Sequence, residues 1–321
     1  MSRVTGRRGT SAIGTVALAA GAASVGALLW GTLIERRWYA LRQVSAPVLP
    51  SGSKPIRVLH LSDLHMAPWQ RDKQEWIRSL AAYAPDLIVD TGDNLGHQRG
   101  FDGVEHALDA FRGVPGVFVN GSNDYYGPIP KNPMRYFSGP STLHVKPSNL
   151  DTGELTGYFA NGLGWLDLNN HAGSLTLNET RVELFGVDDP HRNFDRLDTV
   201  TGELDELRAS EETDDAGENA ATVAIGVAHA PYRRILDSFV TNGASMIFAG
   251  HTHGGQVCVP GFGALVTNCD LPRRQAKGLS TWTHALRAAY LNVSAGLGTS
   301  IYSPVRFACR PEASLITLLP H

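Results

Sequence analysis

The chain has 321 residues, 42% of them hydrophobic and 18% charged, with a formal net charge of -3. That length holds one large domain or two small ones, and the composition excludes a disordered chain. The near-neutral balance provides no global basic field for nucleic acid, while small phosphate esters stay open because a bound metal brings its own positive charge.

Residues 11–34 (SAIGTVALAAGAASVGALLWGTLI) carry no charge. A run of about 20 apolar residues spans the hydrocarbon core as a helix. The chain therefore divides into a basic segment over 1–10, a transmembrane signal-anchor helix over 11–34, a juxtamembrane linker over 35–55 and a globular domain over 56–321. Arg3, Arg7 and Arg8 precede the apolar run, and Arg36, Arg37 and Arg42 follow it. Positive charge at both ends leaves open which side of the membrane the domain occupies. Trp30 and Trp38-Tyr39 fit an interfacial belt, which favours an anchor over a cleaved export signal led by Arg7-Arg8. A helix buried in the globular part is the third reading. It is disfavoured because a terminal helix that is apolar all round has little to pack against. The Pro/Ser/Gly-rich stretch Gln43 to Pro55 reads as linker.

Ile56 to Leu61 reads as a buried strand that delivers Asp63 and His65 to the following loop. Lys73 to Tyr83 has helical spacing and stops before Pro85. Asp86 to Asp90 is a second strand, leading to Gly92-Asp93-Asn94. Gly103 to Phe111 is a helix, and Gly116 to Asn120 is a third strand, leading to Gly121-Ser122-Asn123-Asp124. Strand, ligand loop and helix thus repeat, and ligands in α/β folds bind where strands end. Further strands are expected at Arg181 to Gly186, Thr222 to His229, Ser245 to Gly250, Gln256 to Val259, Tyr290 to Ser294 and Ala313 to Leu318. The acidic run over 203–219 reads as a solvated surface insertion. Cys258, Cys269 and Cys309 form no CxxC pair and read as buried free thiols.

The order of clusters carries the chemistry: Asp63-Leu64-His65, Gly92-Asp93-Asn94, Gly121 to Asp124, His229, and Gly250-His251-Thr252-His253. Carboxylates and imidazoles are the ligands that first-row divalent metals prefer. Two such ions acidify a water and clamp a phosphate for in-line displacement. Asp93 is the natural bridge, because one carboxylate offers two oxygens. No GxSxG nucleophile elbow competes with this reading.

These motifs resemble the calcineurin-like metallophosphoesterase superfamily. Leu59 to His65, Gly250 to Val257, and Gly296 to Ser300 with Arg306 and Arg310-Pro311-Glu312 resemble a membrane-associated bacterial branch that includes UDP-diacylglucosamine pyrophosphatase-like enzymes. The resemblance covers about Ile56 to Leu318. It implies an α/β fold, a four-layer αββα sandwich with the site on loops at one edge of the sheets. It implies one ion on Asp63, His65, Asp93 and His253, and another on Asp93, His229, His251 and an amide of the third motif. The ions would be Mn, Fe or Zn.

The third motif departs from the family pattern Gly-Asn-His-Asp: Ser122 stands where the family has its metal-binding Asn, and Asn123 where it has a general-acid His. Asn123 can swing in as the amide ligand, and the Ser122 hydroxyl is the poorer alternative. No imidazole is left there to protonate a leaving group, help worth about 10²–10⁴-fold. Asp93, Asn123 and His253 are the expected catalytic residues. Asp188-Asp189-Pro190-His191 is either a turn or substrate-facing, Asp124 orients its loop, His97 and Tyr125-Tyr126 are candidates to touch substrate, and Arg306 and Arg310 either bind phosphate or pair on the surface.

The expected function is a membrane-anchored dimetal phosphohydrolase that cleaves a phosphodiester or pyrophosphate, lipid- or nucleotide-linked. The rival reading is a metal-binding membrane protein with attenuated or no catalysis.

Overall fold

A computed structural model describes residues 8–128, 150–214 and 222–321. Arg3, Arg7 and positions 215–219 of the acidic run lie outside the described residues. Helix α1 (Arg8–Leu29) continues through a π turn at Trp30–Ile34 and a 3-10 turn at Glu35–Arg37. The stretch Gly14–Arg37 is long and apolar enough to cross a membrane, and a signal sequence passes the same test. Its apolar side chains face outward, with Leu18 78% exposed. A core helix would bury them, so the reading as a helix buried in the globular part does not hold.

Strand β1 (Ala40–Leu49) corrects the expected linker over 35–55. It pairs in parallel with β14 (Glu312–Pro320), from Ala40 opposite Glu312 to Leu49 opposite Pro320. Ala46 and Val48 point into the core while Ser45 and Pro47 face solvent, the two-residue period of a strand. Proline is tolerated because β1 is the outermost strand of its sheet. The domain thus begins near Ala40 and not at Ile56. A variant that starts at Ser51 loses the burial of Val48 and Leu49, worth roughly 3–6 kcal/mol together on side-chain transfer values. That is a large part of a typical domain stability, and β14 would become a bare edge. This variant is expected to melt far below one that starts at Tyr39, as followed by circular dichroism; equal melting would disprove the role of β1.

The first sheet has the order β1-β14-β2-β3-β4-β5, with β2 (Ile56–Leu61), β3 (Leu87–Asp90), β4 (Gly116–Phe118) and β5 (Leu166–Asp167). Helices α2 (Arg71–Ser79), α3 (Phe101–Leu108), α4 (Ser122–Tyr125) and α5 (Thr152–Gly157) are interleaved with these strands. The second sheet has the order β12-β13-β9-β8-β7-β6. Its strands are β6 (Ala172–Leu177), β7 (Thr180–Val187), β8 (Thr222–Ala228), β9 (Met246–Ala249), β12 (Gly278–His284) and β13 (Arg287–Val293). Helices α6 (Leu197–Asp214) and α7 (Arg233–Thr241) belong to this half, and β10 (Cys258–Val259) pairs with β11 (Gly263–Ala264) in a separate hairpin.

Three apolar layers follow from the alternation. Val58, Val89, Val117, Ile225, Phe248 and Ile316 meet between the sheets. Leu59, Leu61 and Ile88, from the opposite faces of their strands, pack with Ile77 and Val104 of α2 and α3. Phe185, Ile247 and Leu291 pack with Leu204, Ile235 and Phe239 of α6 and α7. The result is helix, sheet, sheet, helix, the expected four-layer αββα sandwich.

The expected surface insertion over 203–219 is corrected for its first part. Leu204 is buried from within α6, and the Glu203 carboxylate accepts a bond from Ala172 N at 2.9 Å. Val200, Leu204 and Leu207 recur at helical spacing against the sheet.

Candidate metal centre

Every candidate ligand lies just beyond the C-terminal end of a parallel strand: Asp63 and His65 after β2, Asp93 after β3, His229 after β8, and His251 and His253 after β9. The turns are tight. Asp63, His65, Asp93, His251 and His253 all have positive φ, between 40° and 68°. Such backbone costs about 1–3 kcal/mol per residue and collects at functional sites. Gly121 is required by closeness, since a Cβ there would lie 2.3 Å from Asp93 Oδ1 and 2.8 Å from His229 Cε1.

Asp63, His65 and His253 form one group that can hold an ion, and Asp63, Asp93 and His229 form another. His65 Nε2 is 3.2 Å from His253 Nε2 and 3.5 Å from Asp93 Oδ2. His253 Nε2 is 3.5 Å from Asp63 Oδ1. On the other side, His229 Nε2 is 3.6 Å from Asp93 Oδ1 and 3.2 Å from His251 Nδ1. Ligand atoms about 2.0–2.1 Å from a tetrahedral ion sit about 3.3 Å from one another, so these spacings fit a shared ion at each position. Asp63 Oδ1 is buried and accepts no hydrogen bond, a cost that a cation would remove. The donor set and the orphaned oxygen both fit divalent metal.

The surroundings aim the ligands. His229 Nδ1–H donates to Thr91 O at 2.7 Å, which leaves its Nε2 lone pair toward Asp93. His251 Nε2 lies 3.2 Å from Asn268 O, which leaves Nδ1 inward. Asp63 Oδ2 accepts from Ser62 Oγ and His251 N. Asp124 accepts backbone N–H groups from Asp93, Asn94, Leu95 and Gly121, and so ties the second and third ligand loops together. Burial pushes its carboxyl up to about 8, against the pull of those donors. Lys73 is buried and donates from Nζ to Leu64 O at 2.6 Å, fixing the peptide between Leu64 and His65. Burial lowers it to about 7.

The charges are strongly coupled. Burial opposes ionisation of Asp93, yet His229, His65 and two bonds from Asn123 hold it below the ordinary carboxylate range. Burial lowers His251 and His253 to about 3, and neutral imidazole is the form that ligates metal. Burial works against charge on His229 too, but Asp93, Asp63 and Asp189 outweigh it and raise it to about 9. A divalent cation, the largest charge in such a pocket, reverses that balance.

The third motif sits against Asp93. Asn123 N and Nδ2 donate to the two Asp93 oxygens at 2.7 Å each, so Asn123 can offer only its carbonyl oxygen to an ion. The Ser122 hydroxyl donates to Asp189 Oδ2 at 2.5 Å. Asp188 accepts from Tyr125 Oη at 2.8 Å, and the His191 ring is 4.5 Å from that of His251. Asp188 to His191 is thus a turn whose acids hold the third motif. Tyr126 stacks with the Arg192 guanidinium, and His97 pairs edge-on with Trp69.

Arg306 and Arg310 correct the expectation of phosphate binding or surface pairing. Arg306 is fully buried, and its guanidinium donates to Ala295 O, Gly296 O and Gly298 O. Arg310 donates to Trp38 O and Tyr39 O. Loop carbonyls after β13 and after the helix turn absorb both, something no sequence spacing announces. Asp189, Lys73 and Glu35 are structural partners that sequence reasoning missed as such. Only Asp189 left a signal, in its place after a strand. The three cysteines are free and buried, as expected.

The profile of the calcineurin-like phosphoesterase family matches residues 56–255. YpbG, an uncharacterized protein of Bacillus subtilis strain 168, is 27% identical over 311 residues, covering 95% of this chain and 94% of its own. YkuE of the same organism, an uncharacterized metallophosphoesterase, is 24% identical, covering 86% of this chain and 83% of its own. Among solved structures, a dimetal phosphatase from Danio rerio aligns with a TM-score of 0.41 at 12% identity, covering 76% of this chain and 88% of its own.

Proposed function

The chain belongs to the calcineurin-like phosphoesterase family, and we propose that it is a membrane-anchored hydrolase cleaving a phosphodiester or pyrophosphate bond on a lipid- or nucleotide-linked substrate. The observation that carries this reading is Asp93, whose two oxygens face separate histidines, His65 from Oδ2 and His229 from Oδ1. Asp63, His65, Asp93 and His253 would hold one ion, and Asp93, His229, His251 and the carbonyl of Asn123 the other. Bound divalent ions supply an acidified water and neutralise charge on the phosphate oxygens.

The residues of the chain do the rest. Asp93 fixes the spacing of the two positions, and Asn123 pins Asp93 from below. The motif offers no imidazole at position 123, so the leaving group departs without a proton from that side. This favours leaving groups that are stable as anions, a nucleotide phosphate among them. The motifs at Leu59 to His65, Gly250 to Val257 and Gly296 to Glu312 support placement with the UDP-diacylglucosamine pyrophosphatase-like branch. The exposed apolar helix supports a single-pass anchor.

The full chain in detergent is expected to carry about two divalent ions and to hydrolyse bis(p-nitrophenyl) phosphate. EDTA should abolish turnover and added Mn²⁺ should restore it. Ser122 and Asn123 favour one rival, a metal-binding membrane protein with attenuated or no catalysis. Two ions without turnover on any phosphodiester would support that rival. Turnover that survives complete metal removal would refute the mechanism.

A further inference from the structure

One arginine links the metal centre to the apolar helix. Arg306 N donates to Gly31 O at 3.1 Å, while Arg306 Nη2 lies 3.4 Å from His253 Nδ1. A single residue therefore joins the two, its backbone N–H holding the helix and its guanidinium reaching a metal-facing imidazole. The junction is closely packed, since a Cβ on Gly31 would lie 2.6 Å from Arg306 O. Glu35, buried at the same place, accepts from Trp30 Nε1 at 2.8 Å, Ala308 N at 3.1 Å and Cys309 N at 2.7 Å. The helix thus leaves the domain at the edge that bears the metal ligands.

The same edge carries exposed apolar side chains. Cys258 N donates to Phe307 O, and Gln256 Nε2 donates to Ser303 O and Val305 O. These bonds set the β10–β11 hairpin beside the helix end. Phe262 on that hairpin is 64% exposed and Val259 44%, with Tyr302 of the adjoining loop at 49% and Trp38 after the helix at 50%. Guanidinium groups accompany the rings: Arg273 lies 5.6 Å from the Phe262 centroid and Arg310 4.1 Å from that of Trp38. Aromatic rings and cations with apolar stems are the composition of the membrane–water boundary. Large apolar residues gathered along one edge mark an interaction surface, whereas isolated ones do not.

The centre is open on this side. The His253 side chain is 17% exposed, against 4% for His65, 5% for Asp93 and 0% for His229 and Asp63. His253 lies five residues before the hairpin.

We infer that Val259, Phe262, Tyr302 and Trp38 form a rim that dips into the headgroup region of a lipid bilayer, so that the substrate is an amphiphile whose phosphate lies at headgroup depth. A bilayer is the occupant because the rim continues the exposed apolar surface of α1, and the Arg273 guanidinium beside Phe262 adds a cation suited to the headgroup region. This inference rests on the membrane-anchor reading above.

The test uses the full chain in vesicles of phosphatidylethanolamine and phosphatidylglycerol that contain a nitroxide-labelled lipid. Single cysteines at Phe262→Cys, Leu286→Cys and Leu18→Cys carry an environment-sensitive fluorophore, with the wild-type chain as background because its thiols are buried. Leu286 is fully exposed in the β12–β13 turn, and β13 runs parallel to β9, so that turn lies at the opposite end of the sheet from the ligands. The label at 262 is expected to be quenched several-fold more than the label at 286, and nearly as strongly as the label at 18. Tyr302→Cys repeats the measurement on the adjoining loop if Phe262→Cys fails to fold. A quenched label at 18 with an aqueous label at 262 or 302 overturns the rim and leaves the anchor standing. Aqueous labels at 18 and 262 together overturn both.

Discussion

Replacing Asp93 with asparagine is expected to lower metal-dependent phosphodiester hydrolysis by about 10³-fold or more, since a bridging ligand contributes several kcal/mol and each 1.36 kcal/mol is tenfold. Metal content should fall along with the rate. Asparagine is the informative replacement because the backbone at position 93 has φ of 57°, a conformation that Asn accepts and Ala resists. Asp93→Ala should lose the same activity and also some stability. The loop itself should survive both changes, because Asp124 holds the backbone N–H of residue 93 whatever its side chain. Rate, bound metal and melting temperature together separate loss of a ligand from loss of fold. An Asp93→Asn variant that folds, binds two ions and turns over at the wild-type rate would sink the shared-carboxylate mechanism.

The ligand loops were legible because they sit in short strand-to-loop units whose strands read as apolar runs. Ile56 to Leu61 is β2 with identical bounds, and Asp63 and His65 follow it as expected. What sequence hides is pairing across the chain. β1 contains Pro47 and Ser45 and reads as linker, and only the partner strand at Glu312–Pro320 makes it a strand. β12 (Gly278–His284) was missed for a similar reason: it gains its place by antiparallel pairing with β13. Helix α6 was hidden by its acidic outer face, although Val200 and Leu204 mark the buried one. Within the site, the residues that bind were readable and those that hold them were not. Asp189 holds Ser122 from 67 residues away, while Lys73 and Arg306 turn back onto carbonyls nine and eight residues off through loops, and no local pattern announces such bonds.

The third motif yields the sharpest test of chemistry. Asn123→His places an imidazole where the chain has an amide, and the backbone bond from residue 123 to Asp93 Oδ1 is retained. Ser122 is left in place, so its bond to Asp189 is undisturbed. A general acid helps only when the leaving group needs a proton. The variant is therefore expected to hydrolyse alkyl phosphodiesters about 10²-fold faster or more, the low end of what general acid catalysis contributes. Bis(p-nitrophenyl) phosphate, whose leaving group is already stable as an anion, should show little change. The measured quantity is the slope of log rate against leaving-group pKa, which should be steep in the wild-type chain and flatter in Asn123→His. Slopes equally shallow in both would mean that another group already donates the proton, and Tyr125 and His253 would then be the next residues to replace; slopes equally steep would mean that the imidazole at 123 does not reach the leaving group. A uniform fall in rate across all leaving groups would instead assign Asn123 to holding the site rather than to proton donation, because the substitution removes both its Nδ2 bond to Asp93 Oδ2 and the carbonyl proposed as a ligand; bound metal, measured alongside, separates the two.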